Sequence, residues 1–260
     1  MTGDMIEQAA PSYESATGRM RENRLVMGKK LALQILDCCA PFLQKPTTHW
    51  DVLDCGSGYG QTAIALAEHC RSVKGIEPSK PLYDFAVAWV QQVGIRNVLF
   101  ENLSVESLHD LEQYDLAVLD NVFEHISDQP KALCQLAQSL RPGGLLFMIV
   151  PNKLWPIEVH YGLPFLSYLP VPLANVYLRA TGRGTDYTDA SYAPTYWKLR
   201  TLLRLSGFGD HQFIVPPDLS KTMLGAVWYY RLGAALLRRF PALWSVSKSF
   251  VVVARKTNQK

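Results

Sequence analysis

Residues 52–60, Val-Leu-Asp-Cys-Gly-Ser-Gly-Tyr-Gly, decide the fold of this chain. A short apolar run leads into Asp54, glycines follow at alternate positions, and a helical pattern begins at Gln61. Glycine lets the backbone turn tightly and approach a ligand without a side chain in the way. A helix N-terminus just beyond the turn offers unpaired N–H groups. The stretch therefore predicts a strand, a turn and a helix that together cradle a nucleotide.

A carboxylate follows the next predicted strand. Residues 72–76 lead into Glu77, and Pro78 biases Glu77 towards the extended conformation of a strand end. A carboxylate at the tip of the second strand can accept hydrogen bonds from the ribose hydroxyls of an adenosine. Proteins that bind nicotinamide dinucleotides and proteins that bind S-adenosylmethionine both use this arrangement. Glu77 alone therefore leaves both cofactors open.

Two features of the glycine turn favour S-adenosylmethionine over a dinucleotide. Gln61 stands where the G-x-G-x-x-G pattern has its third glycine, which serves close packing beside a pyrophosphate. Asp54 opens the turn with a negative charge, which repels a phosphate but suits a sulfonium ligand that also carries an ammonium group. The turn is thus better matched to a cationic nucleoside than to a pyrophosphate.

Two later stretches complete the pattern. Residues 114–120, Tyr-Asp-Leu-Ala-Val-Leu-Asp, are followed by Asn-Val-Phe-Glu-His-Ile at 121–126, and Leu-Arg-Pro-Gly-Gly stands at 140–144. With these motifs, over roughly residues 25–152, the chain resembles the class I S-adenosylmethionine-dependent methyltransferases. The resemblance implies an α/β fold with a doubly wound, seven-stranded, mostly parallel Rossmann-like sheet, whose last strand is antiparallel and lies between strands five and six. It also implies S-adenosyl-L-methionine as cofactor, and it does not identify the methyl acceptor.

The resemblance implies a set of cofactor-binding residues: Asp54, Gly56, Gly58, Glu77, Ser104, Val105, Asp120 and Asn121. The turn residues would hold the amino-acid part of the cofactor, and Glu77 the ribose. Ser104 stands where the family often has an Asp that contacts the adenine amine, and its hydroxyl can accept the same hydrogen bond. Asp120 and Asn121 follow the fourth strand, beside the expected position of the methyl group.

Three residues are candidates for a catalytic role: His160, His125 and Asp120. An unperturbed imidazole titrates near neutral pH, which suits a general base. His160 follows the fifth strand, where insertions in this family build the acceptor pocket, and Glu158 shares its face if the segment is extended. The Glu-His pair at 124–125 is widespread in the family whatever the acceptor, so His125 is open to a structural or cofactor-side role. If neither histidine acts, either positioning alone is the mechanism or Asp120 is the base.

The chain is expected to form one methyltransferase domain over residues 25–260, with a polar N-terminal arm or lid at 1–24. Within the domain, a helix is expected over residues 25–39, and a turn at 142–144 is expected before a fifth strand at 145–150. Acceptor-side insertions are expected at about 153–193 and 216–248. Tyr13, Arg19, Arg21 and Arg24 are candidates to close over the cofactor. The five cysteines contain no C-x-x-C pair, which indicates reduced thiols in a cytoplasmic protein. No His, Cys or Asp group shows metal-ligand spacing along the sequence, so no metal is expected.

Charge is distributed unevenly along the chain. Residues 1–150 hold 12 Lys and Arg against 18 Asp and Glu, whereas residues 151–260 hold 14 against 5. The basic half favours an anionic acceptor or a membrane surface, and a solvated basic face is the alternative. A predicted helix over 222–240 carries Trp228, Tyr229 and Tyr230, which suits either peripheral contact with a membrane or a lid over an apolar substrate.

The sequence therefore predicts methyl transfer to a small-molecule, glycan or lipid-linked acceptor, with oxygen favoured as the acceptor atom. N-methylation of a small molecule is the first alternative. A nicotinamide-dependent oxidoreductase and an inactive methyltransferase-like scaffold are two further ones, although the intact turn and Glu77 argue against the scaffold. Nucleic acid is disfavoured as a partner, because no Asn-Pro-Pro-Tyr type motif follows strand four and the basic residues form no dense run. The sequence does not indicate an oligomeric state.

Overall fold

A computed structural model describes residues 13–222 and 227–257, except for the side chains of residues 13–22 and 221. The strands of this part of the chain are β1 (Asp51–Cys55), β2 (Ser72–Ile76), β3 (Val98–Glu101), β4 (Tyr114–Asp120), β5 (Leu140–Pro151), β6 (Asp210–Phe213) and β7 (Ser249–Arg255). They form one sheet in the order β3-β2-β1-β4-β5-β7-β6. The first five strands are parallel to one another, and β7 is antiparallel to β5 and β6. The predicted sheet, including the place of its last strand, is confirmed.

Helices cover both faces of the sheet. They are α1 (Tyr13–Cys39), α2 (Gln61–Ala67), α3 (Lys80–Val93), α4 (Gln129–Ser139), α5 (Val171–Ala180), α6 (Tyr196–Leu205) and α7 (Trp228–Arg239). Buried residues of α1, α2 and α3 pack with Trp50 and Phe147 into one core. Buried residues of α4 and α6 pack with Phe123 and Phe250 into the other. Right-handed βαβ crossovers produce this layering, and they bring the carboxyl ends of β1, β2, β4 and β5 to one edge of the sheet.

Three boundaries differ from those predicted. Helix α1 begins at Tyr13, so residues 13–24 continue the helix expected from residue 25, while residues 1–12 lie outside the described part. Strand β5 begins at Leu140 and not at 145, because Leu140 already pairs with Tyr114 of β4, and residues 141–144 form an irregularity before Leu145 pairs with Leu116. Helix α7 begins at Trp228, and residues 223–226 of the helix expected over 222–240 are not described.

The amino edge of the sheet is held by a charged network around Asp51. Its carboxylate accepts hydrogen bonds from the Arg71 guanidinium, from Ser72 Oγ at 2.6 Å and from Arg141 Nη2 at 2.7 Å. Arg141 also donates to Asp115 Oδ2 at 2.8 Å. Burial raises the pKa of Asp51, but these hydrogen bonds outweigh it and hold the pKa well below its usual range. Arg141 thereby fixes the segment that the sequence predicted as a turn.

The segment predicted as the first insertion folds onto the carboxyl edge of the sheet. Its residues Leu163, Leu166, Ala174, Leu178, Tyr187 and Ala190 form a small apolar cluster of their own. The Tyr192 N–H donates to the Glu124 carbonyl at 3.2 Å, and Gln129 Nε2 donates to the carbonyls of Phe123 and Tyr192 at 3.0 and 2.7 Å. The insertion is therefore fastened to the turn that follows β4.

Apolar surface is present, but not as a membrane span. In the described ranges, no helix has both the length and the hydropathy needed to cross a bilayer.

Candidate active site

In the glycine turn, Gly56 is closely packed against a side chain, whereas Gly58 has open space beside it. Gly56, Gly58 and Gly60 all have positive φ, at 64°, 55° and 83°. A Cβ on Gly56 would lie 2.5 Å from Val122 Cγ2, whereas a Cβ on Gly58 would meet nothing within 4 Å. The backbone at Gly58 thus faces open space at the end of β1, where the sequence placed a ligand.

Glu77 joins β2 to this turn. Its Oε2 accepts a hydrogen bond from the Gly58 N–H at 2.9 Å, and its Oε1 accepts one from the Ser79 N–H at 2.9 Å. Asn102 Nδ2, beyond the end of β3, donates to the Glu77 carbonyl at 2.7 Å. A carboxylate offers about four acceptor sites, so Glu77 keeps capacity for the hydroxyls of a ribose.

Buried polar atoms that have no hydrogen-bond partner among the described residues surround the turn. They are Asp54 Oδ2, Ser57 Oγ, Gln61 Oε1 and Arg24 Nε. Buried polar atoms are nearly always hydrogen-bonded in native proteins, so a group of unpaired polar atoms needs an explanation. A ligand that carries ammonium and carboxylate groups supplies donors and acceptors to such a set. These residues therefore fit the amino-acid part of S-adenosylmethionine.

The electrostatics of Asp54 fit the same ligand. Burial raises the pKa of Asp54 to about 8, and the negative charges of Asp120 and Glu77 add to the shift, while a hydrogen bond from the Ala63 N–H opposes it. The charges of Asp120 and Glu77 therefore lie close enough to raise the cost of ionising Asp54. A cationic ligand relieves this repulsion, whereas a pyrophosphate would increase it.

Helix α1 covers the turn. The Arg24 guanidinium carbon lies 3.6 Å from the centre of the Tyr59 ring. A Cβ on Gly28 would lie 2.4 Å from the Gln61 carbonyl oxygen, so Gly28 lets α1 approach the start of α2 closely. Arg24 is the one predicted lid residue whose side chain is described, since the side chains of Tyr13, Arg19 and Arg21 lie outside that part.

Asp120 and Asn121 lie at the end of β4. Asn121 has a φ of 52°, and its Nδ2 donates to Asp120 Oδ1 at 3.0 Å. Burial raises the pKa of Asp120 to about 6, although the bond from Asn121 opposes the shift. Both residues are thus near the turn, on the side that faces β5.

Ser104 and Val105 follow β3. The Ser104 hydroxyl is 3.3 Å from the Ser107 hydroxyl and bonds to it. The Val105 side chain is buried in the core on the α4 face. Only the main chain of Val105 is therefore available for a cofactor contact.

A histidine cluster lies beside the turn, where β4 and β5 end. Glu124 and His125 belong to a 3₁₀ turn, Phe123–His125, directly after β4, and His160 comes from the insertion after β5. The two imidazole rings contact edge to face, with centres 5.2 Å apart. His160 Nε2 lies 3.7 Å and His125 Nε2 lies 4.0 Å from Glu124 Oε1. The fold thus unites two of the predicted catalytic residues.

Each histidine is oriented by an acceptor at its other nitrogen. His160 Nδ1 bonds to Glu158 Oε1 at 2.8 Å, and Glu158 Oε2 accepts from the His160 and Tyr161 N–H groups. His125 Nδ1 donates to the Asp189 carbonyl at 3.1 Å. The bond to Glu158 raises the pKa of His160 despite burial. Burial also raises the pKa of Glu158, but its hydrogen bonds, that from His160 first, lower it overall.

Several site residues were not predicted from the sequence. Glu124 stands inside a quoted motif, yet its approach to His160 depends on β4 and β5 being neighbours. Burial raises the pKa of Glu124 to about 7, and His160 partly offsets that shift. Ser57 lies within the glycine stretch and Gln61 directly follows it. Their polar side chains, next to a predicted ligand turn, could have identified them as site residues from the sequence. Nothing in the sequence around Asp189 indicates that its carbonyl accepts a hydrogen bond from His125.

Comparison with known proteins identifies the family of the chain. A family model described as "Methyltransferase domain" matches residues 20–204. The chain is 29% identical over 99 residues to an uncharacterized methyltransferase, YcgJ, of Bacillus subtilis, covering 38% of this chain and 39% of that protein. It is 31% identical over 103 residues to a ubiquinone biosynthesis O-methyltransferase of Coxiella burnetii, covering 39% of this chain and 44% of that protein. The matched part is thus less than half the length of these curated relatives.

Solved structures share the fold. The YcgJ structure superposes with a TM-score of 0.56 at 18% identity, over 88% of this chain and 99% of that one. An S-adenosylmethionine-dependent methyltransferase from Mesorhizobium loti gives 0.56 at 17% identity, over 84% and 95%. Since the family model covers more than two thirds of the chain, the protein belongs to the methyltransferase-domain family.

Proposed function

We propose that the enzyme methylates a hydroxyl group of a small amphiphilic acceptor, held between the histidine cluster and the first insertion. The hydrogen-bonded pair of Glu158 and His160 at the carboxyl edge of the sheet carries this proposal. S-adenosylmethionine supplies a methyl group that is already electrophilic. The protein's own task is then to orient the acceptor, exclude water and take up a proton.

A hydroxyl needs a base more than most acceptors do. The Glu158 carboxylate receives the Nδ1–H of His160, which leaves the Nε2 lone pair of His160 free to accept the acceptor's proton. A well-placed base contributes on the order of 10²–10⁴-fold to the rate. Orientation of the acceptor contributes more, roughly 7–11 kcal/mol. The proposal is also supported by the Coxiella burnetii relative, whose name specifies an O-methyltransferase.

The amphiphilic character of the acceptor rests on exposed apolar side chains around the same half of the molecule. Helix α5 of the first insertion exposes Leu173 and Val176 by 57% and 56%. On α7, Trp228, Leu232 and Leu236 are exposed by 74%, 53% and 42%, and their spacing puts them on one face. Apolar faces of this kind mark surfaces that bind apolar partners. Phenols and lipid-linked precursors therefore fit this surface better than a glycan, which offers little apolar surface.

The test is a methyl-transfer assay on matched acceptors. Phenolic and aliphatic alcohols are compared with the corresponding amines, and the methylated atom is identified by mass spectrometry. We expect O-methyl products and a turnover rate about 10²-fold lower in His160→Ala, with cofactor affinity little changed. His109→Ala, at an exposed position in the loop before β4, is the matched control. Exclusive N-methyl products would reject the hydroxyl proposal. Full turnover in both His160→Ala and His125→Ala would leave Asp120 as the candidate base.

A further inference from the structure

Three groups that ligate metals converge beside the cofactor turn. One oxygen of Glu124 and one ring nitrogen each of His125 and His160 all lie within 4.8 Å of one another. The two shorter distances, both to Glu124 Oε1, are 3.7 Å from His160 Nε2 and 4.0 Å from His125 Nε2. The ligand atoms of tetrahedral zinc, with bonds of about 2.0–2.1 Å, are roughly 3.3 Å apart. The three ligand atoms would therefore have to approach one another by no more than about 1.5 Å to reach that spacing.

In its neutral form, each imidazole presents an unprotonated nitrogen to the centre of the cluster. A carbonyl oxygen only accepts, so the bond from His125 Nδ1 to the Asp189 carbonyl fixes the proton on Nδ1. The bond from His160 Nδ1 to Glu158 Oε1 does the same for His160. In both rings the lone pair is then on Nε2, the atom that faces Glu124. Metal-bound histidines are held in this way by a carboxylate or carbonyl at the second nitrogen.

Glu124 provides a separate indication. It is fully buried, and neither of its carboxylate oxygens has a hydrogen-bond partner among the described residues. A simple ion pair with a protonated histidine would bring an N–H to about 2.8 Å from one oxygen, which neither ring does. A buried carboxylate without a partner is costly, and a cation between it and the two imidazoles removes that cost.

We propose that Glu124, His125 and His160 bind one divalent transition-metal ion, and that the ion holds the oxygen of the methyl acceptor. Two imidazoles and one carboxylate are a donor set that suits Zn²⁺ or another first-row ion better than Mg²⁺ or Ca²⁺. The histidine side chains are 33% and 30% exposed, so the ion has an open side.

The proposal rests on the proposed hydroxyl methylation and changes the source of the base. A divalent ion lowers the pKa of a bound hydroxyl, so that oxygen is deprotonated near neutral pH. The proton leaves to water, the oxygen lone pair forms the O–CH₃ bond, and the electron pair of the broken S–CH₃ bond stays on sulfur. His160 Nε2 is then a ligand and not the proton acceptor.

Metal binding is measured directly on the full chain. The protein is stripped with a chelator and titrated with Zn²⁺ by calorimetry, and with Co²⁺ by its visible absorption. We expect one ion per chain, and a loss of affinity of at least about 100-fold in His160→Ala and in Glu124→Gln. Glu158→Gln, which alters only the hydrogen bond behind His160, should weaken binding by about 10–100-fold. His109→Ala should bind as the wild type does.

Each outcome decides the proposal. One ion per chain, lost in the variants, supports it. If Zn²⁺ and Co²⁺ do not bind, or bind equally well to His160→Ala, the cluster is not a metal site. Hydroxyl methylation that persists in the stripped enzyme then leaves the histidine as base, whereas absence of O-methyl products with and without metal rejects the proposed function itself. Circular dichroism of Glu124→Gln shows whether the buried substitution folds, and His160→Ala decides the matter if it does not.

Discussion

The Glu77 carboxylate accepts a hydrogen bond from the Gly58 N–H at 2.9 Å. This bond ties the tip of β2 to the open point of the glycine turn. Glu77 consequently has two tasks, since it shapes the turn and offers its remaining lone pairs to a ribose. Its loss should therefore cost more affinity than a ribose contact alone.

Glu77→Ala should weaken S-adenosylmethionine binding while leaving the fold intact. Hydrogen bonds to a charged acceptor contribute roughly 1.5–3 kcal/mol, which corresponds to about 10–150-fold in affinity. Calorimetry with the cofactor measures the change. Glu68→Ala, an exposed carboxylate that pairs with Lys29, is the control and should bind normally. Unchanged affinity in Glu77→Ala would remove Glu77 from the cofactor site.

Asp54 should make cofactor binding release a proton. Its pKa is raised to about 8 by burial and by neighbouring carboxylates, so at pH 7 the unliganded protein holds it mainly protonated. A cationic ligand favours the ionised form, and the proton is then released. Calorimetry at pH 7 in two buffers with different ionisation enthalpies should give different apparent binding enthalpies. Asp54→Asn should abolish that difference, and the same difference in the variant would assign the proton to another group.

The same shift predicts how stability depends on pH. The folded pKa of Asp54, about 8, lies above its unfolded value near 3.8. Between these values the folded state holds one more proton than the unfolded state, so this group makes stability fall as pH rises from about 4 to 8. Urea unfolding of the cofactor-free protein at pH 5 and pH 8 measures the slope. Asp54→Asn should gain stability relative to the wild type at pH 8, and the gain should shrink at pH 5.

The sequence predicted the cofactor side of the site better than the acceptor side. A βαβ unit places the ends of its parallel strands at one edge, so Asp54 and Glu77 meet as soon as the strands are recognised. The approach of His160 to Glu124 depends on how a long insertion folds back, and local spacing carries no information on that. Strand β5 was predicted too short, because Pro142 and two glycines are typical of a turn and the tertiary bonds of Arg141 were not visible.

Asp51 should dominate stability at the amino edge of the sheet. It is buried and accepts hydrogen bonds from Arg71, Ser72 and Arg141. Asp51→Asn should lower the free energy of unfolding at pH 7 by about 1.5–3 kcal/mol. Because the folded pKa is depressed, this contribution is present above the unfolded pKa, near 4, and is lost as pH falls below it. Wild type and variant should therefore converge in urea unfolding at low pH.

A surface pair supplies the control for that measurement. Asp84 bonds to Lys80 one helical turn away, and both side chains are more than half exposed. Asp84→Asn should change stability by no more than about 0.5 kcal/mol. An equal effect of the two substitutions would mean that burial of Asp51 contributes nothing to its role.

The apolar face of α7 should bind anionic lipid surfaces. Trp228, Leu232 and Leu236 are exposed together, and Arg231 and Arg239 lie on the same helix. Aromatic rings and arginines settle at a lipid–water interface, with apolar parts buried and charged ends in water. The protein should sediment with vesicles that contain anionic lipid, and less so as salt rises, because the attraction is screened over about 8 Å at physiological ionic strength.

Charge reversal on α7 tests this surface without disturbing the fold. Arg238 is left unchanged, because it donates to the Pro216 carbonyl at 2.8 Å and so holds the preceding loop. Arg231→Glu with Arg239→Glu should abolish sedimentation at low salt. Arg96→Glu with Lys131→Glu, at two exposed positions in the acidic half, removes the same charge and should sediment normally. Equal loss in both double variants would indicate that net charge alone drives binding. If the wild type stays in the supernatant at low salt, the predicted membrane contact of α7 is wrong.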